Sequence, residues 1–262
     1  MAPQPLKKDK YVLSSVDNAL KVLDILSVTD NLGVSDIVKI SGIDRTSVFK
    51  ILYTLCRRGY VIKTPDAKYR VGGKLAAFGE VVSERQNISE VSATYLRYLR
   101  DRIHETVSVN VLNANGRTVI IRREDGDSPN HIVDRIGFEL DAHTTATGKV
   151  LLAYLGENTQ RSIVEGLRFK AYTPYTITSP IALYSILEEV RTQGYAADQD
   201  ERYLGRSTMA APIFDATRQC IAALSLVCVN ETFQENQVGF RTIICRVAQQ
   251  ISAEMGYYPE LG

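Results

Sequence analysis

Histidine is scarce in this chain: three in 262 residues, none in an HExxH arrangement or beside a cysteine at metal-ligand spacing. That leaves little material for a zinc hydrolase or a histidine-based catalytic dyad. The four cysteines, Cys56, Cys220, Cys228 and Cys245, form no CxxC pair. Three of them sit among apolar neighbours and read as small core residues, which fits a reducing cytoplasm. No apolar run approaches the ~18–20 residues that a membrane-spanning helix needs. Internal repeats and low-complexity stretches are absent, and the net charge of +1 rules out a surface coated in one sign. Residues 1–11 open with lysines and prolines and read as a disordered arm rather than a targeting segment.

The distribution of charge says more than its sum. Residues 1–80 hold 13 Lys+Arg against 8 Asp+Glu, a net of +5, and the remainder holds 18 against 22, a net of −4. A basic head on an otherwise acidic chain is the electrostatic footprint of a small nucleic-acid-binding module. Its pattern agrees. Ser15 is placed to cap a helix over 16–28, Ser35 a short one over 36–40, and Asp44 a third from Arg45 to Arg58. Between the last two lies the tight turn Ser41-Gly42-Ile43-Asp44. Two basic strands, 60–63 and 68–71, flank a turn at Pro65-Asp66-Ala67 and read as a hairpin. Residues 12–72 are therefore expected to form a winged helix-turn-helix.

In the third helix Val48, Ile51, Leu52 and Leu55 recur at helical spacing and should face the other two helices. Arg45, Thr46, Ser47, Phe49, Lys50 and Thr54 are left outside that stripe. Short hydroxyls suit phosphate oxygens and base edges, and Arg45 and Lys50 suit phosphates or guanine. Phe49 either meets something apolar, such as a thymine methyl, or packs against the wing. With Ser35 and the wing residues Lys68 and Arg70, these make the set expected to face double-stranded DNA.

Residues 73–87 carry small and apolar residues at helical spacing, a linker helix with too little polar surface to stand alone. A second copy of the chain is its natural partner, and a reader of two half-sites also wants a dimer. The domain expected over 88–262 opens with a helix over 88–104. Strands follow at 107–112 and 118–122, with a third proposed at 131–134. Helices are expected at 147–155, 159–165 and 181–193, strands at 195–198, 209–215 and 221–229, and a last helix at 234–255. This mixture indicates an α+β domain on one mainly antiparallel sheet.

Polar residues collect in three stretches of that domain. Asp141-Ala142-His143-Thr144-Thr145-Ala146-Thr147-Gly148-Lys149 precedes an apolar helix. Its start would present backbone N–H groups to an anion, or Thr144 or Thr145 would simply cap it. Gly194-Tyr195-Ala196-Ala197-Asp198 is the second, and the third runs from Gly205 through Thr208 to Pro212. Ser225 and Val227 alternate onto one face of a later strand. Hydroxyls and one carboxylate on an otherwise apolar sheet suit a small polar ligand.

In order and spacing the chain resembles an IclR-type transcriptional regulator over nearly its whole length. The resemblance rests on Ser15-Val16-Asp17-Asn18-Ala19-Leu20, on Arg45-Thr46-Ser47-Val48-Phe49-Lys50-Ile51-Leu52 with Leu55 and Gly59-Tyr60-Val61, and on Tyr69-Arg70-Val71-Gly72. Further on it rests on residues 143–149, on Thr173-Pro174-Tyr175-Thr176-Ile177-Thr178, on residues 194–198 and on Ala210-Ala211-Pro212-Ile213-Phe214-Asp215. It implies a dimer, or a dimer of dimers, that binds promoter DNA and senses a small metabolite in a GAF-like C-terminal domain. It also implies an effector pocket at Ala146, Thr147, Asp198, Thr208, Ser225 and Val227. Thr208 stands where a cysteine is frequent, Val227 where a polar residue is common, and Thr147 where an aliphatic one is. A small organic acid is the implied effector, and no cofactor or metal is expected.

Two other classes use the same residues. An enzyme would take Asp198, His143 and Thr208 or Cys220 as acid, base and nucleophile. A metal or redox sensor would gather His131, His143 and the cysteines of the second domain. Scattered singletons are more often structural, and His143 reads equally well as a residue packed before a helix.

Overall fold

The computed structural model describes residues 11–78, 87–127 and 134–258. The chain divides into two compact units, Met1–Arg85 and Gln86–Gly262. Most of the proposed 131–134 strand, residues 79–86 of the linker helix and residues 1–10 of the arm lie outside the described residues.

Unit 1 holds helices α1 (Ser14–Val28), α2 (Val34–Ser41) and α3 (Arg45–Arg57) and the antiparallel hairpin β1 (Val61–Lys63) and β2 (Tyr69–Val71). Val22, Leu26, Ile37, Val48, Leu52, Leu55, Val61 and Tyr69 form its core. Each such side chain taken from water is worth about 2 kcal/mol. Asp44 caps α3 as expected, its Oδ1 accepting from the Ser47 amide at 2.9 Å. The other two proposed caps do not form. α1 begins after Leu13 with no side-chain cap. α2 begins after Gly33, whose amide donates to Asp36 Oδ2 at 3.0 Å, leaving the Ser35 hydroxyl inside the first turn and free for another partner. Gly42, at φ +69°, turns the chain between α2 and α3, a left-handed conformation that costs glycine nothing. Residues 73–78 are helical.

Unit 2 is built on a six-stranded antiparallel sheet in the order β5-β4-β3-β8-β7-β6. The strands are β3 (Thr106–Leu112), β4 (Arg117–Glu124), β5 (Glu139–Asp141), β6 (Ala196–Gln199), β7 (Arg206–Phe214) and β8 (Cys220–Val229). β5 pairs with β4 where the sequence suggested only the approach to a helix. The helices are α4 (Ile88–Ile103), α5 (Ala146–Ala153), α6 (Glu157–Gly166), α7 (Pro180–Gln193) and α8 (Asn230–Glu254).

The two faces of this sheet are filled differently. On one, Val107, Val109, Met209, Ala211, Ile213, Leu224 and Leu226 pack with Leu96, Leu99, Phe240, Ile244, Val247 and Ile251 from α4 and α8. The alternate residues on the other face are small or polar: Ala196, Ala210 and Ala223 meet α5 and α7, and Ser108, Asn110, Thr208 and Ser225 continue that face. Bulk on one side makes a solid core. Its lack on the other leaves room for a cavity.

Candidate functional site

The register of the sheet sets the floor of that cavity. Thr106, Val227, Thr208 and Asp198 lie opposite one another across β3, β8, β7 and β6, and Arg123, Ser108, Ser225 and Ala210 form the adjacent row across β4, β3, β8 and β7. Thr144, Thr145 and Thr147 close it from the start of α5, and Asp134, Arg202, Tyr203 and Arg206 also line it. The space is small, about 60 Å³.

Of the expected pocket residues, Thr147, Asp198, Thr208, Ser225 and Val227 line this one cavity. Ala146 stands behind it: its amide donates to Asp198 Oδ2 at 2.7 Å. The Gly148 amide donates to Thr145 Oγ1 at 3.0 Å, so Thr145 caps α5. Two of the helix-start donors that an anion would use are thereby taken by the protein's own side chains, because the helix begins buried and its orphan groups must be paired. Gly148 is required there, since a Cβ would fall 2.1 Å from the Ala142 carbonyl oxygen.

Burial pushes the Asp198 carboxyl up to about 7, with Glu201 adding to the rise; Lys149, the Ala146 amide and Thr208 oppose it. Lys149 is buried and ion-paired with Glu201, and its Nζ also donates to the Ala197 carbonyl at 3.3 Å. Burial raises the Glu201 carboxyl as well. Ser108 Oγ and Ser225 Oγ share a hydrogen bond of 2.9 Å, and Asn110 Nδ2 donates to both at 2.9 and 3.2 Å. Sequence reasoning missed Ser108 and Asn110, although their alternation with Val107 and Val109 places them on the face of Ser225. It also missed Arg123, Arg202 and Arg206, which only the fold brings together.

His143 is buried elsewhere. Its Nε2 faces the Lys170 carbonyl oxygen at 3.3 Å, its ring packs on Phe169 at 5.0 Å, and it borders a separate depression with Arg117 and Arg168. Burial holds its pKa below the ordinary value. Cys220 lies outside the Asp198 cavity too, and burial pushes its thiol up to about 12. Asp198 and Thr208 share the cavity, but His143, the candidate base, and Cys220 lie outside it.

In unit 1 the set expected to face DNA is largely accessible. Arg45, Thr46, Phe49, Lys50, Thr54, Lys68 and Arg70 are exposed and Ser47 is half-buried. Arg45 Nη1 donates to Ser35 Oγ at 3.1 Å, tying the head of α3 to α2. The Thr54 hydroxyl is spent on the Lys50 carbonyl at 2.8 Å, and Lys68 pairs with Asp66 at 3.6 Å. Phe49 does not pack on the wing: it is 56% exposed, and Tyr53, one turn on, is 59% exposed. Tyr53 was not among the expected residues. Its place four residues after Phe49 was the available signal.

Residues 15–65 match the IclR helix-turn-helix domain, and residues 80–253 match the family of the bacterial transcriptional regulator IclR C-terminal domain. The chain is an IclR-family transcriptional regulator. It is 32% identical to the HTH-type transcriptional regulator XynR of Escherichia coli over 94% of this chain and 98% of that protein. Against the regulator KdgR of the same organism it is 30% identical over 98% of both. Among solved structures, the Thermotoga maritima IclR matches with a TM-score of 0.63 at 29% identity, covering 93% of this chain and 99% of that one. A Silicibacter IclR regulator matches in fold with a TM-score of 0.79 at 21% identity. This family member is a DNA-binding regulator and not an enzyme, with the α+β architecture expected of it. No helix among the described residues is long and apolar enough to cross a membrane.

Proposed function

We propose that this IclR-family regulator releases or grips its operator according to a small organic acid held in the cavity of unit 2. It does so as a homodimer whose two α3 helices read neighbouring half-sites. The observation that carries the reading is the cavity itself. A sheet that fills one face with Leu, Ile and Val spends the facing positions on Ser108, Asn110, Asp198, Thr208 and Ser225. Buried polar groups cost stability unless they are hydrogen-bonded; Ser108, Asn110 and Ser225 pair with one another, and the polar face they keep suits a small polar ligand. Thr147 and Val227 complete the wall, with Ala146 fixing Asp198 from behind.

On the DNA side, Arg45, Thr46, Ser47, Phe49, Lys50 and Thr54 face the major groove, with Ser35 steadying Arg45 and with Lys68 and Arg70 on flanking phosphates. The effector acts only through its different affinity for two arrangements of the dimer, so its influence on operator binding is limited by that difference. A thermal-shift screen against small organic acids tests the reading, since a ligand of the folded state raises the melting temperature by mass action. A hit should also change operator affinity, and Thr208→Val and Asp198→Ala should each blunt it. A hit to which both variants respond like the parent would place the effector elsewhere.

A further inference from the structure

Tyr60 sits between the end of α3 and the helical residues 73–78, and it is bound to both. Gly59, left-handed at φ +78°, closes the last turn of α3. Its amide donates to the Cys56 carbonyl and the Tyr60 amide donates to the Leu55 carbonyl, each at 3.0 Å. The Tyr60 carbonyl accepts the Gly72 amide at 2.8 Å, and the Gly72 carbonyl accepts the Leu75 amide at 3.0 Å as the next helix begins. The side chain repeats the connection. The Phe78 ring stacks on the Tyr60 ring, with centroids 6.0 Å apart and planes 19° from parallel, and Lys74 Nζ lies 4.7 Å from the centroid of the same ring.

These contacts leave little play. Gly72 is buried, and a Cβ there would fall 2.3 Å from the Gly59 carbonyl oxygen, so glycine is what lets the two segments approach this closely. Lys74 and Phe78 are four residues apart, on one face of the helix, and both meet Tyr60. Phe78 keeps 51% of its surface exposed and lies outside the hydrophobic core of unit 1. A ring so placed adds little to that core. What it adds is a fixed angle between two helices.

We infer that Tyr60, with Phe78 and Lys74, is a positioning joint: it holds α3 at one angle to the linker helix and so sets the half-site spacing that the protein accepts. The inference rests on the dimer reading above and adds the residues that turn a paired linker into a fixed separation of the two reading helices. Tyr60 touches no base in this role and acts through α3. Moving one half-site by a single base pair rotates it by about 34° and shifts it by about 3.4 Å along the duplex. A stiff joint rejects that change, and a loose one follows it.

A random duplex library selected with the full-length protein supplies the half-sites and their separation. Affinity is then measured for duplexes with that separation, with one or two base pairs added or removed, and with a single half-site. The parent should lose about tenfold or more on a change of one base pair. A ring stack is worth about a two- to tenfold change in an equilibrium, so in Phe78→Ala that loss should shrink to about threefold. Its affinity for the single half-site should match the parent's. Tyr60→Leu should relax the spacing in the same way, and Phe78→Tyr, which keeps the stack, should retain the parent's profile. Profiles as steep in Phe78→Ala and Tyr60→Leu as in the parent would overturn the joint. So would a Phe78→Ala protein that melts earlier and loses single-half-site affinity, since the ring would then hold the fold of the head. A parent that sediments as a monomer, or that selects one isolated half-site, would overturn the dimer reading and this inference with it.

Discussion

The Asp198 carboxylate accepts the Ala146 amide at 2.7 Å, so the strand β6 and the first turn of α5 are joined by a buried acid. That acid keeps its proton far above the ordinary carboxylate range, up to about 7. In the unfolded chain it would ionise near pH 4. The folded state therefore binds the proton more tightly, and the stability it contributes is complete below about pH 4 and is lost as the pH rises through about 7.

The first prediction follows. Between pH 5 and pH 8 the melting temperature of unit 2 should fall by a few degrees, and Asp198→Asn should remove most of that fall. Glu201, also raised by burial, acts in the same direction, whereas His143, held low, favours folding as the pH rises. Comparing parent and variant at each pH isolates Asp198. Parallel melting curves would show that the carboxyl is ionised throughout.

Lys149 is the counter-charge of this region. Its ion pair with Glu201 lies almost wholly out of water. Removing one member of such a pair strands the other, at a cost of about 3 kcal/mol, whereas removing both is far milder. Urea unfolding of Lys149→Met should show that loss, and the double variant Lys149→Met/Glu201→Gln should recover more than half of it. Additive losses would mean that the two side chains act independently.

Gly148 tests how the cavity roof is seated. A methyl group at this position would stand against the backbone of Ala142, which has no flexible end to move aside. Gly148→Ala should destabilise unit 2 by 3 kcal/mol or more, roughly the upper end for overpacking a rigid site. The measurement is again urea unfolding. A change below about 1 kcal/mol would show that the 3-10 turn Ala142–Thr144 can shift at little cost.

The helices and strands were legible where periodicity was strong. α3, α7 and the β3–β4 pair carry clear repeats of 3.6 or 2, and Asp44 announced its cap. Ser15 and Ser35 misled because a serine near a helix start satisfies the same pattern whether it caps or sits within the first turn. β5 was missed because three residues between polar neighbours carry no period. In the cavity, Asp198, Thr208, Ser225 and Val227 were readable from family motifs and alternation. The cavity arginines were not: Arg123, Arg202 and Arg206 come from two strands and a loop, and sequence separation hides that proximity.

The last prediction concerns the exposed aromatic pair on α3. Phe49 and Tyr53 each leave more than half of their surface in water. A buried aromatic would hold the fold, and its loss would lower the melting temperature. An exposed one contributes little to folding and has apolar area to give to a partner, for which thymine methyl groups in the major groove are well suited. Lys50, on the same helix, offers only charge. The two kinds of contact separate in salt. Counterions are released by cations meeting phosphates, so Lys50→Ala should reduce the slope of log K against log salt by about one. Phe49→Ala should weaken operator binding about tenfold at every salt concentration and leave the slope and the melting temperature unchanged. Tyr53→Ala should follow Phe49→Ala if both rings meet the same groove. A Phe49→Ala protein that melts earlier but binds DNA as before would return that ring to the scaffold.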